Sequence, residues 1–159
     1  MRSNFFYSLL TLSLLLSCSN NVPKVESRSV TDSVHKMISG LVNDLSNHGA
    51  VAWLNYFEES SDFYMVSDGK IAFKDYQSAK NFINDTLARL IVKINLQLSN
   101  LRIDSLNETM AFIGADFHED LTDSAAKLIR ADGFVTALVK QTEKGWKFRN
   151  LQWSLKAPH

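Results

Sequence analysis

Gly133-Phe134-Val135-Thr136-Ala137-Leu138-Val139-Lys140, a turn at Glu143-Lys144-Gly145, and then Trp146-Lys147-Phe148-Arg149-Asn150-Leu151-Gln152-Trp153-Ser154-Leu155 decide the fold. Apolar and β-branched residues alternate with polar ones, and a short glycine-bearing turn separates the runs, which is the pattern of two long antiparallel strands. Leu128 to Thr142 and Trp146 to Leu155 are therefore read as a hairpin. Thr109 to Glu119 reads as a third long strand ahead of it. On the last strand, Trp146 and Phe148 fall on one face by simple alternation, and Leu151, Trp153 and Leu155 on the other. Two apolar faces on one strand predict a sheet covered on both sides, by helices on one and by a second copy of the chain on the other.

Upstream, Ile94, Leu96 and Leu98 alternate, and Leu101 and Ile103 then alternate on the opposite parity. That change predicts a bulge near Ser99-Asn100, or separate segments. Phe63 to Ser67 and Lys70 to Phe73 flank Asp68-Gly69, a pair suited to a tight hairpin in which both turn residues need positive φ. Between hairpin and bulge, Ala79, Phe82, Ile83, Leu87, Leu90 and Ile91 mark the buried face of a helix from about Tyr76 to Val92. Thr31 is read as the cap of a first helix, with Asp32 in its first turn. Val34, Met37, Ile38, Leu41, Val42 and Leu45 form its apolar stripe. After Asn47-His48-Gly49, a short second helix carries Val51, Trp53, Leu54 and Phe57. Helices first and mostly antiparallel strands after them make an α+β layout, with the helices on one face of the sheet.

This order resembles the nuclear-transport-factor-2-like (NTF2-like; SnoaL-like, cystatin-like) superfamily. The likeness rests on Ser60-Ser61-Asp62 through Asp68-Gly69-Lys70 to Tyr76-Gln77-Ser78-Ala79, and on the final hairpin, where Gly145-Trp146 opens the last strand and Ser154 closes it. It covers the chain from about Val30 onward. The resemblance implies a curved, mostly antiparallel sheet with N-terminal helices packed on its concave face. It also implies dimerisation through the outer sheet face. Where relatives often carry histidines two and four residues before the closing serine, this chain has Gln152 and Asn150, with Trp153 just before the serine. The paired carboxylate base and acidic donor of ketosteroid-isomerase-like relatives is not found here.

The N-terminal stretch speaks of address. Arg2, the apolar run Phe5 to Leu16 and the small residue Ser17 make the three parts of a secretory signal, and the run is too short to span a bilayer. Leu15-Leu16-Ser17-Cys18 resembles the bacterial lipobox. Cys18 is the one cysteine of the sequence, so it has no disulfide partner within the chain. Residues 1–17 are read as a lipoprotein signal peptide, 18–29 as a polar tether from lipidated Cys18, and 30–159 as the NTF2-like domain. Ser19 after the cysteine resembles lipoproteins sorted to the outer membrane. An ordinary signal peptide is the alternative.

Seventeen basic residues balance seventeen acidic ones, and no basic patch stands out, so a nucleic-acid partner is not expected. His35, His48, His118 and His159 lack ligand spacing, and neither a metal nor a cofactor is expected. Trp53, Tyr56, Phe57, Tyr64 and Trp153 are an aromatic set on elements that would meet inside such a fold; as core they would simply fill it, and as a lining they would hold a ligand. Trp53, Phe57, Tyr64, Phe112 and Trp153 are the candidate contacts to a small apolar molecule. Asp116 and His118 share a strand face with Phe112 and Gly114, and a carboxylate beside an imidazole suits a base and its orienting partner. Three functions follow as alternatives. They are non-catalytic binding of a small apolar or amphipathic molecule or a protein, a SnoaL-like isomerase or hydrolase using Asp116 and His118, and a purely structural dimer module.

Overall fold

The computed structural model describes residues 24–156. Helix α1 (Lys24–His48) leads into a 3-10 helix (Gly49–Asn55) and a short hairpin, β1 (Tyr64–Ser67) and β2 (Lys70–Phe73). Helix α2 (Tyr76–Phe82), a π-helical turn (Ile83–Leu87) and a last α turn, α3 (Ala88–Leu90), run into four long strands. These are β3 (Ile91–Asn107), β4 (Met110–Asp123), β5 (Leu128–Thr142) and β6 (Gly145–Leu155). The six strands form one sheet in the order β2-β1-β6-β5-β4-β3, antiparallel throughout except for the parallel pair β1 and β6.

Helix α1 starts at Lys24 rather than after a cap at Thr31, so residues 24–29, read as tether, are helical. Val30 lies one turn before Val34 and extends the apolar stripe upstream, and the Ser33 hydroxyl donates to the Ser29 carbonyl at 2.8 Å. Val30, Val34, Ile38, Leu41 and Leu45 are all buried against the sheet. Gly40 lets Tyr56 lie directly on the helix: a Cβ there would sit 3.0 Å from the phenol oxygen. The Tyr56 hydroxyl donates to Asp44 Oδ2 at 2.7 Å, and burial first, then this bond, raises the phenol pKa.

The Asp68-Gly69 turn has the expected positive φ at both residues, 48° and 78°. Asp75 caps α2 with a full capping box: the Ser78 amide donates to Asp75 Oδ1 at 2.7 Å, and the Asp75 amide donates to the Ser78 hydroxyl at 3.2 Å. The helical stretch ends at Leu90, and Ile91 and Val92, expected in the helix, open β3. The bulge expected near Ser99-Asn100 is present as a register shift between Ser99 and Arg102, with Asn100 at φ 52°. It keeps Leu96, Leu98, Leu101 and Ile103 on the core side despite their change of parity.

A second bulge was not expected and overturns a face assignment. Phe148 pairs with Val139 and Asn150 with Leu138, which leaves Arg149 as the extra residue on β6. The slip brings Phe148 and Leu151 to the same side, each 2% exposed. Trp146 and Trp153 pack against that same core. The last strand therefore has one apolar face, contrary to the two expected, and offers no second apolar face for another copy to cover. Arg149 itself reaches the connecting segment, with Nη1 3.0 Å from Glu58 Oε2 and Nη2 3.0 Å from Asp62 Oδ2. Glu58 also pairs with Lys140 at 3.1 Å.

Candidate functional site

Between the sheet's concave face, the 3-10 helix and the α2 region lies a partly open cavity of about 240 Å³. Strand alternation decides what lines it. On β4, Ala111, Ile113, Ala115 and Phe117 are buried against the helices, and the same parity carries Glu119 and Leu121 into the cavity wall. On β1, Met65 and Ser67 point in; on β6, Leu151 and Trp153 do. Trp53 and Phe57 come from the segment after α1, and Phe73, Phe82, Ile83 and Leu87 from the hairpin and the helical turns. The rings form a chain: Trp53 stacks on Phe57 with centroids 5.6 Å apart and meets Trp153 edge-on at 6.0 Å, and Trp153 lies 4.2 Å from Phe117. Phe57 also stacks on fully buried Phe63 at 4.6 Å, which ties the lining to the core.

Besides the indole N–H groups of Trp53 and Trp153, Ser67 and Glu119 carry the polar side chains of this wall. Glu119 is half-buried and faces Leu96 on β3 and Ala131 on β5 across the sheet. Among the described residues its carboxyl has no hydrogen bond and no ion pair. Burial alone therefore acts on it and raises its pKa from 4.5 to about 7. A carboxyl in this state exchanges a proton near neutrality and accepts or donates one hydrogen bond according to pH.

Three of the five expected ligand contacts, Trp53, Phe57 and Trp153, line the cavity. Tyr64 and Phe112 do not: each has the opposite parity from its cavity-lining or buried neighbours on β1 and β4, and both are exposed on the outer sheet face. Tyr64 accepts a hydrogen bond there from Asn150 Nδ2 at 3.3 Å. The expected pair Asp116 and His118 also lies on the outer face, for the same reason. They do not form a dyad with each other. Asp116 Oδ2 accepts from Asn100 Nδ2 at 2.8 Å. His118 Nδ1 lies 2.9 Å from Asp132 Oδ1, and its Nε2 lies 3.6 Å from Asp120 Oδ1. The hydrogen bond to Asp132 is the main cause of a raised His118 pKa. Glu119, one residue further on, was missed as a site residue. The signal was present in the sequence: Ala111, Ile113, Ala115 and Phe117 are the apolar parity, and Glu119 continues it.

A more open cleft of about 510 Å³ lies by Glu59, Tyr76, Lys144 and Lys147. Its charges are largely spent on one another, with Lys144 Nζ 2.6 Å from Glu59 Oε2. Among the described residues no three His, Cys, Asp or Glu side chains group as metal ligands, and no helix is long and apolar enough to cross a membrane. Cys18 lies outside the described residues.

No protein-family model and no curated protein sequence matches the chain. Solved structures do. An NTF2-like superfamily protein from Salmonella enterica serovar Typhimurium is similar with a TM-score of 0.69 at 15% identity, over 82% of this chain and 94% of that one. A scytalone-dehydratase-like protein from Novosphingobium aromaticivorans gives 0.70 at 14% identity, over 82% of this chain and 86% of that one. The hexachlorocyclohexane dehydrochlorinase LinA-type3 from Novosphingobium barchaimii gives 0.65 at 12% identity, over 84% and 90%. At such identities the likeness speaks for architecture, and the architecture is that of the NTF2-like α+β cone.

Proposed function

We propose that this chain is a lipid-anchored domain of the bacterial cell envelope that binds a small, mostly apolar molecule in the cone without transforming it. The observation that supports binding most is the cavity wall itself, aromatic and aliphatic with Ser67, Glu119 and the two indole N–H groups as its polar members. A few polar groups in an apolar concave site are what small-ligand recognition uses. Trp53 and Trp153 line the cavity, whereas Trp146 does not, so the three indoles report binding with an internal control. Toluene and benzyl alcohol should shift the indole N–H resonances of Trp53 and Trp153 and leave Trp146 in place. No shift with either probe, or equal shifts in all three indoles, contradicts the reading.

The isomerase or hydrolase alternative needs Asp116 and His118 in this cavity, and they lie on the far face of β4. Glu119 is the lining group able to exchange a proton, so turnover in this cavity would rest on it. Catalysis would be indicated if Glu119→Gln abolished a conversion while leaving the binding of the same molecule intact.

The anchor is carried by Leu15-Leu16-Ser17-Cys18, with Ser19 favouring the outer membrane. Cys18→Ala should abolish labelling by alkyne palmitate, and equal labelling of both proteins refutes lipidation there. A homodimer through the outer sheet face now rests on other residues than those of β6. Phe112 and Phe134 are large, exposed and on that face, where a second copy would present the same rings across a two-fold axis. Phe134→Glu should shift sedimentation from dimer to monomer, and a wild type that sediments as monomer at high concentration contradicts it.

A further inference from the structure

We infer that the cone selects a protonated amine borne on a compact hydrocarbon body, with Glu119 as counter-ion and the surrounding rings as its cage. The inference rests on the binding reading above and adds to it the chemical class of the ligand. It begins from what Glu119 lacks. The outer-face carboxylates next to it on β4 and β5 are paired: Asp120 with Arg130 at 3.2 Å, Asp132 with His118 at 2.9 Å, Asp116 with Asn100 at 2.8 Å. Glu119 has no partner among the described residues. Among the described residues no lysine, arginine or histidine is in the cavity wall, so none of them reaches it from there. Its cross-strand neighbours are Leu96 and Ala131, and the helical turns opposite present Phe82, Ile83 and Leu87. Lys80, Asp85 and Arg89 belong to those turns but are not among the lining residues. A positive charge for this carboxylate therefore has to arrive with the ligand.

The wall supplies the second half of the recognition. Trp53, Phe57, Phe73, Phe82 and Trp153 all line the cavity. Ring faces carry negative potential, so they attract an ammonium group and repel the lone pairs of a carbonyl. A neutral acceptor could take a hydrogen bond from a protonated Glu119 or from an indole N–H of Trp53 or Trp153, but the ring faces would not attract it. Ser67 offers a hydroxyl oxygen to one further N–H of the ammonium. Size sets the body. Benzene fills a 150 Å³ cavity, and in proportion about 240 Å³ holds roughly ten non-hydrogen atoms.

The sign of the pH dependence separates the two ligand classes. Glu119 titrates near 7, well below a primary alkylamine, so raising the pH from 5.5 to 8 ionises the carboxyl while the amine keeps its proton. Amine affinity should rise over that range, and the affinity of a neutral hydrogen-bond acceptor should fall. The test titrates the full chain with benzylamine, benzamide and toluene at both pH values, reading the indole resonances of Trp53 and Trp153 against Trp146. Benzylamine should bind on the order of tenfold more tightly at pH 8 than at pH 5.5, and toluene equally at both. Glu119→Gln should remove the pH dependence for benzylamine while toluene still binds. If toluene binds but wild-type affinity for benzylamine does not rise with pH, or if benzamide is preferred, the amine inference falls and the binding reading stands. If none of the three binds, both fall.

Discussion

The two faces of strand β4 carry acidic residues in opposite circumstances. On the outer face, Asp116, His118 and Asp120 sit among partners and solvent, and each is satisfied by a neighbour on β3, β5 or its own strand. On the inner face, Glu119 stands between Phe117 and Leu121 with none among the described residues. A carboxylate beside an imidazole has the look of a catalytic pair, yet here it is surface chemistry. The residue with altered chemistry is the one that strand alternation puts inside. Which face a group occupies, more than which neighbours it has in sequence, sets its proton affinity.

The sharpest way to break the inner face is at Gly133 on β5. A Cβ there would lie 2.1 Å from the Ser154 carbonyl oxygen and 2.5 Å from the Phe117 ring. Either the β5–β6 pairing or Phe117 has to move, and Phe117 supports Trp153 at 4.2 Å. Gly133→Ala should destabilise the fold by about 3 kcal/mol, the upper part of the range for overpacking a well-filled site. Urea denaturation followed by tryptophan fluorescence measures it; a loss below about 0.5 kcal/mol, the scale of a surface change, contradicts the packing described.

A comparable effect, spread over pH, belongs to Glu119. Its folded pKa lies above its unfolded value, so the folded state binds more protons, and stability falls as pH rises from about 4.5 to about 7. The fall should be on the order of 3 kcal/mol. Glu119→Gln should flatten this slope. His118 works in a higher window. Its folded pKa is raised by Asp132, so its contribution is present below about 6.5 and is lost as pH climbs through the folded value. His118→Asn should therefore lower stability below about pH 6.5 and remove the slope only above it, and a flattened slope below pH 6 in that variant would undo the assignment. The smallest effect is expected from Asp116→Asn with His118→Asn together. It should leave cavity binding of toluene unchanged, whereas a loss of binding would return those residues to the site.

Much of the fold was legible because turn chemistry and alternation agree. Asp68-Gly69 reads as a tight turn in any context, and the switch of apolar parity between Leu98 and Leu101 places a bulge that is there. The bulge at Arg149 was not legible. Trp146, Phe148, Leu151 and Trp153 can be read as two apolar faces or as one face with an extra residue between, and only pairing with β5 chooses. The start of α1 was misplaced because Thr31 has the chemistry of a cap, while Val30 one turn before Val34 already belongs to the buried stripe. The aromatic half of the site is visible in the sequence as a set of large rings, although strand alternation puts Tyr64 and Phe112 of that set on the outer face. Glu119 was obscured by the more suggestive Asp116 and His118 beside it.

Among the described residues Glu119 is an unpartnered carboxyl in an apolar wall, and the cavity's chemistry depends on it. A carbon-13 titration of its side-chain carboxyl in the full chain tests this directly. The structure predicts a midpoint of about 7. A midpoint close to 4.5 would mean that water or a charge partner reaches the group, and would contradict the account of the cavity.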